Sequence, residues 1–260
     1  MNALAGAGIL VTRPAGQAGR LAQLVREADG EPVLFPALEI EAVAVTPVDA
    51  RAGFDLLIFV SPNAARLGLP LVRAAIESQT KIAAIGSGTV AELKKAGVED
   101  IISPTSGHDS EALLAALSDI TARRVLIIRG EGGREFLGEV LRSRGTAVEY
   151  LECYRRIKPA RDMRDLLSGP VRSNLKACTA TSANIVENLF EMAGVGGASW
   201  LQGLPFFVAH ARVAATAFSR GAHTVFVTGN GDEALVAGLT DWFARQRTGP
   251  PFEFSRVVDK

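Results

Sequence analysis

The chain has 260 residues, 48% hydrophobic and 22% charged, with 28 Lys+Arg balanced by 28 Asp+Glu. This apolar content excludes a disordered chain, and the charge balance excludes a general nucleic-acid binder while leaving room for a local basic site. Apolar runs such as Leu56 to Val60 fall far short of the about 20 residues that span a bilayer, and Met1 to Leu10 has no basic residue ahead of its apolar part, as a secretory signal would.

Cys153 and Cys178 are the two cysteines, and His108, His210 and His223 are scattered. Neither set has metal-ligand spacing. A cytoplasmic protein without disulfide, metal or cofactor is expected, and nothing in the sequence indicates an oligomer, so a monomer is the default.

In chain order, the strand Ile9-Leu-Val-Thr-Arg-Pro14 turns at Gly16 into a helix carrying Leu21, Leu24, Val25 and Ala28 at helical spacing, with a stop expected at Gly30. A strand follows at Pro32 to Pro36, and Glu39 to Pro47 reads as a linker. The strand Leu56 to Val60 leads to Ser61-Pro-Asn-Ala64. The strand Ile82 to Ile85 leads to Gly86-Ser-Gly-Thr89 and a helix ending at Gly97, and Glu111-Ala-Leu-Leu114 belongs to the next helix.

The pattern then starts again. Val125-Leu-Ile-Ile-Arg-Gly130 repeats the first strand and sets Arg129 against Arg13. Gly132, a helix with Leu137, Val140 and Leu141, a stop at Gly145 and a strand Ala147 to Leu151 follow. Glu152 to Ala160 reads as a second linker. After the strand Ala177 to Ala180, Ser182-Ala-Asn-Ile185 repeats Ser61-Pro-Asn-Ala64. Phe206 to Ala209 leads to a helix ending at Gly221, and Glu233-Ala-Leu-Val236 repeats Glu111-Ala-Leu-Leu114. Arg245 to Lys260, with Gly249-Pro-Pro251, reads as a mobile or loosely packed tail.

Two copies of one β/α pattern, about Ile9 to Ile120 and about Val125 to Phe243, predict an α/β fold of two flavodoxin-like domains with parallel sheets. Ligands of such sheets sit beyond the carboxyl ends of the strands, near helix N-termini. There lie Thr12 and Arg13; Ser61 and Asn63; Gly86, Ser87 and Thr89; Arg129, Gly130 and Arg134; and Thr181, Ser182 and Asn184.

Hydroxyls and amides at these positions are also ordinary helix caps, and each has that simpler explanation. Capping does not account for Arg13 and Arg129 at equivalent turns, with Arg134, Arg155 and Arg156 nearby in sequence. These suggest a carboxylate or phosphate site between two facing domains. No Walker loop, dinucleotide fingerprint or Gly-x-Ser-x-Gly elbow occurs, and both cysteines sit in apolar contexts expected to bury them.

The ordered set Val11-Thr-Arg-Pro14, Phe59-Val-Ser-Pro-Asn-Ala64, Ile85-Gly-Ser-Gly-Thr89, Ser110-Glu-Ala-Leu-Leu114, Arg129-Gly-Glu-Gly-Gly-Arg134, Cys153-Tyr-Arg-Arg156, Thr181-Ser-Ala-Asn184 and Asp232-Glu-Ala-Leu235 resembles the uroporphyrinogen-III synthase family over nearly the whole chain. The resemblance implies a discontinuous first domain (1–37 and 158–260), a second domain (41–152), and two antiparallel linker strands joining them.

The implied substrate is a linear tetrapyrrole, hydroxymethylbilane, cyclised with inversion of its terminal ring. Tyr154 matches the family's linker tyrosine, which implies a proton donor to the departing hydroxyl. At His210-Ala-Arg-Val213 the chain departs from the family: Val213 stands where the first half has Thr89, and His210 and Arg212 are the candidate replacement donors. Two other readings stay open: a non-catalytic two-domain protein that binds a small anion, and a sugar-phosphate isomerase-like enzyme with Glu111 as base. Glu111 and Glu233 also fit the first turns of their helices, where a carboxylate is favoured.

Overall fold

The computed structural model describes residues 3–49, 51–107 and 109–248. The first part of the chain forms β1 (Gly8–Val11), α1 (Gly19–Glu27), β2 (Glu31–Leu34), β3 (Glu39–Ala42), β4 (Leu56–Phe59), α2 (Pro62–Val72), β5 (Lys81–Ala84), α3 (Ser87–Lys95), β6 (Ile101–Ile102) and α4 (Ser110–Ala116). It continues with β7 (Arg124–Gly130), α5 (Phe136–Ser143), β8 (Ala147–Ile157), α6 (Arg164–Ser168), α7 (Val171–Asn174), β9 (Leu175–Ala180), α8 (Ala183–Gly203), β10 (Phe206–Val208), α9 (Ala211–Ser219), β11 (Val225–Val227) and α10 (Asp232–Thr248).

The chain falls into two compact units, one of Met1–Glu39 with Lys158–Lys260 and one of Ile40–Ile157. The first holds a five-stranded sheet in the order β11-β10-β9-β1-β2, its neighbours all parallel. The second holds a six-stranded sheet, β3-β8-β7-β4-β5-β6, parallel from β8 to β6. Numbered along the chain, the first sheet has the 2-1-3-4-5 order of doubly wound folds. The second has the same order when counting begins at β7 instead of β4, with β3 added at its edge. The two units are therefore circular permutations of one topology. Each copy of the sequence repeat contributes strands to both sheets.

Both sheets are covered on both faces, which is why their inner strands β1, β4, β7 and β9 are buried over nearly their whole length. In the second unit Leu57 and Phe59 pack with Ala64, Leu69 and Leu93 of α2 and α3. Leu56 and Ile58, pointing the other way, pack with Leu113, Leu114, Leu137 and Leu141 of α4 and α5. In the first unit α8 and α9 cover one face through Ile185, Leu189 and Val213. There α1 and α10 cover the other through Leu21, Val25, Leu235 and Leu239.

Three of the four expected helix stops, Gly97, Gly145 and Gly221, adopt positive φ. The fourth differs: after α1 the left-handed residue is Asp29, at φ 64°. Aspartate tolerates this conformation better than most residues. Gly30 has another cause, because a Cβ there would come within 2.6 Å of Leu4 and 3.0 Å of Val25. Residues 245–248 are not tail but the last turn of α10; the remainder of the expected tail, 249–260, lies outside the described residues. The segment read as a second linker begins inside β8, which is longer than the expected strand and has β3 as its neighbour.

Candidate active site

In the second unit the strand order reverses between β7 and β4, the switch point where doubly wound sheets leave a crevice. A cavity of about 310 Å³ lies there. Val60 and Ser61 after β4, Ile85 after β5, and Arg129, Gly130, Gly132, Gly133 and Arg134 at and after the end of β7 contribute to its wall. Tyr154 and Arg156, two residues apart on β8, complete one side. The lining includes three arginines and no carboxylate.

Tyr154 is held by the local irregularity of β8. Arg129 stands opposite Glu152 in register, but Gly130 stands opposite Tyr154, so β8 carries one extra residue there. Bulges of this kind re-aim side chains beside functional sites. The result is that Cys153 and Tyr154, adjacent in sequence, are both buried, at 1% and 2% exposure. Glu131 N–H donates to the Tyr154 carbonyl at 2.8 Å and fixes the backbone. The ring lies over Gly130, where a Cβ would come within 2.5 Å of it.

The Tyr154 hydroxyl is 3.0 Å from Ser61 Oγ. Ser61 caps α2, its Oγ accepting from Ala64 N–H at 3.0 Å. Either hydroxyl can donate in the Ser61–Tyr154 bond; when the serine donates, the tyrosine proton is released for another partner. The positive end of α2 points the same way and favours an electron-rich oxygen. Burial pushes the neighbouring Cys153 thiol up to about 11.

Arg129 differs from its expected role as an anion ligand. Its Nε and Nη2 donate to Glu152 at 3.1 and 2.9 Å, and Nη2 donates to Glu135 at 2.6 Å. Nη1 reaches the Gly133 and Arg134 carbonyls at 3.2 and 3.4 Å, and the guanidinium stacks 4.0 Å over Tyr150. The side chain is 9% exposed. Burial works against its charge, but the bonds to Glu135 and Glu152 outweigh that and hold its pKa above the ordinary arginine value. Arg129 thus ties the 131–135 loop to β8. The Tyr150 hydroxyl is buried without a hydrogen bond of proper geometry, yet its nearness to Glu135 is the first cause, ahead of Arg129, that holds this carboxyl below its usual range.

Other expected residues are placed differently. Arg134 lines the cavity but pairs with Glu111 at 3.2 Å, in the first turn of α4. Asn63 is buried in the first turn of α2, with Arg66 Nη2 at 3.5 Å from its Oδ1. Gly86 precedes α3 and Ser87 is exposed, whereas Thr89 is buried; none of the three lines the cavity.

In the first unit Thr12 is fully buried, and its hydroxyl donates to the Thr179 carbonyl at 2.6 Å, joining β1 to β9. It has no proton left for a ligand. Arg13 pairs with Asp232 at the start of α10. Thr181 is half-buried after β9, Ser182 caps α8 by accepting from Ile185 N–H at 3.3 Å, and Asn184 is exposed. His210 and Arg212 are exposed at the start of α9. Val213 and Thr89 do occupy equivalent places, the third residue of their helices, but both are buried at 2% and 3% exposure. The valine replaces a core-facing threonine there.

Of Arg155 and Arg156, which the sequence offered together, the structure brings Arg156 to the cavity. Its signal is the period of two along a strand: Tyr154 and Arg156 line the cavity, while Arg155 between them bonds Glu41 at 2.8 Å. Among the described residues no group of His, Cys, Asp and Glu could hold a metal ion, and no helix is long and apolar enough to cross a membrane.

Fold and site together define a class: a chain of two doubly wound α/β units with an arginine-lined crevice beyond the strand ends. Residues 19–236 match the uroporphyrinogen-III synthase HemD profile, and the chain belongs to that family. It is 29% identical over 247 residues to the uroporphyrinogen-III synthase of Salmonella typhimurium, covering 89% of this chain and 99% of that one. Against the Proteus mirabilis synthase the identity is 33% over 159 residues, 57% of this chain and 80% of the other. The synthase structure from Helicobacter pylori shares the fold at a TM-score of 0.61 and 13% identity, covering 91% and 99% of the two chains.

Proposed function

We propose that the chain acts on hydroxymethylbilane as a uroporphyrinogen-III synthase, a lyase of tetrapyrrole biosynthesis, and that the switch-point cavity of the second unit takes part in the reaction. Family membership supports the reaction. The observation that carries the site is a cavity lined by Tyr154, Ser61 and three arginines, with no carboxylate in its wall. The substrate is a linear tetrapyrrole with acetate and propionate arms, a polyanion. It loses its hydroxyl to give an electrophilic azafulvene. The substituted carbon of the terminal ring attacks, and the resulting spiro-pyrrolenine fragments and recloses with that ring inverted.

Without enzyme the same chain closes to the uninverted isomer. The protein's main task is then to hold the reacting carbons in the rarer geometry. Tyr154 is the proposed proton donor to the departing hydroxyl, with Ser61 donating to the phenolic oxygen as charge develops there. Gly132 and Gly133 keep the cavity wall free of side chains.

The test supplies hydroxymethylbilane and separates the product isomers. Excess type III over the spontaneous type I is the expected result, and its absence removes the reading.

A further inference from the structure

We infer that Arg156 is the anion ligand of the cavity, holding one carboxylate arm of the substrate beside Tyr154. The inference rests on the reading that the chain acts on a polycarboxylate tetrapyrrole. Three guanidinium groups line the cavity. Arg129 is neutralised by Glu135 and Glu152, and Arg134 by Glu111. Arg156 is exposed and, among the described residues, has no carboxylate within ion-pair distance. Of the three, Arg156 is therefore the one whose guanidinium has no carboxylate partner among the described residues.

Its placement follows from β8. Tyr154 and Arg156 share a side of the strand, and the guanidinium carbon lies 6.0 Å from the Tyr154 ring centre. A cation at that distance stays over the ring while its outward N–H groups remain open. Guanidinium presents paired donors that match a carboxylate, which an ammonium does not. A substrate arm seated on Arg156 would bring the chain across the Tyr154 hydroxyl.

The test measures steady-state rates on hydroxymethylbilane, with isomer analysis, for the wild type, Arg156→Gln, Arg156→Lys and Arg144→Gln. Arg144 is exposed at the C-terminal end of α5 and does not line the cavity, so it controls for loss of one charge. Arg156→Gln is expected to raise KM about tenfold with kcat and the type III fraction nearly unchanged. The dependence of kcat/KM on ionic strength should flatten in the same variant. Arg156→Lys should fall between, and Arg144→Gln should match the wild type. An unchanged KM in Arg156→Gln, or a fall in kcat alone, overturns the inference while type III production by the wild type leaves the enzymatic reading intact. A wild type that makes no excess of type III overturns both.

Discussion

At the scale of single residues the cavity depends on which protons are already committed. Thr12 has spent its proton on the sheet and Arg129 its donors on two glutamates, whereas Tyr154 shares with Ser61 a bond in which either hydroxyl can donate. Tyr154→Phe removes the phenolic hydroxyl and little else, since the ring stays packed over Gly130. The expected result is a fall in kcat of about a hundredfold with KM held, read from single-turnover formation of type III product. An unchanged rate and isomer ratio would leave Tyr154 a packing residue. The cysteines give a second residue-scale prediction. Burial raises Cys153 from 9.0 to about 11, and raises Cys178 as well. Between these values the unfolded chain has lost protons that the folded chain keeps, so stability falls as pH rises. The stabilising contribution is whole below pH 9 and is lost as pH passes 11. The urea midpoint should drop over that window, and less steeply in Cys153→Ala.

At the scale of elements the decisive feature is the bulge in β8. Gly130→Ala places a methyl group within 2.5 Å of the Tyr154 ring, with the backbone on both sides held in a ladder. The expected cost is about 1–3 kcal/mol by denaturant unfolding, together with loss of activity as the ring is pushed aside. Ser61→Ala removes both the α2 cap and the Tyr154 partner, and should cost about 1 kcal/mol. How far these elements were legible varies with the range of the interaction that makes them. Apolar runs announced β4 and β7, and turn residues announced the start of α2, because burial and capping act within a few residues. The paired switch-point turns after β4 and β7 were legible as repeats of those after β9 and β1. The role of Arg129 was not, because Glu135 and Glu152 converge on it only when β7 and β8 pair. Nor was the bulge, which breaks the period of two at Cys153 and buries two neighbours that alternation would have separated. Arg155 and Arg156 were legible together as cations, and the period of two from Tyr154 separates the one that reaches the cavity from the one that bonds Glu41. The burial of Thr89 could not, since a helix N-terminus reads alike whether its third residue faces ligand or core.

At the scale of the whole molecule the circular permutation has consequences for folding. Every residue in the clusters beneath β4, β5, β7 and β8 comes from the continuous stretch Ile40–Ile157. Those clusters cover both faces of a six-stranded sheet, and no strand of that sheet's parallel core is supplied from elsewhere. A continuous segment with its own two-sided core meets the conditions for independent folding. The other unit does not have this continuity. Its β1 lies between β2, from the first segment, and β9, from the last. Residues 3–39 alone can form only the β1–β2 pair with α1, a piece too small to bury its apolar faces. Expressed separately, residues 40–157 should therefore fold with a cooperative thermal transition and protected amides in β4 and β7. Residues 158–260 should do so only when 1–39 is supplied, because β9 otherwise loses its β1 neighbour and exposes a buried strand edge. Circular dichroism melts and hydrogen exchange on the separate and mixed segments measure this directly. A non-cooperative 40–157 fragment would mean that its sheet is stabilised by the rest of the chain. A cooperative 158–260 fragment would mean that β1 is dispensable to the sheet it now divides.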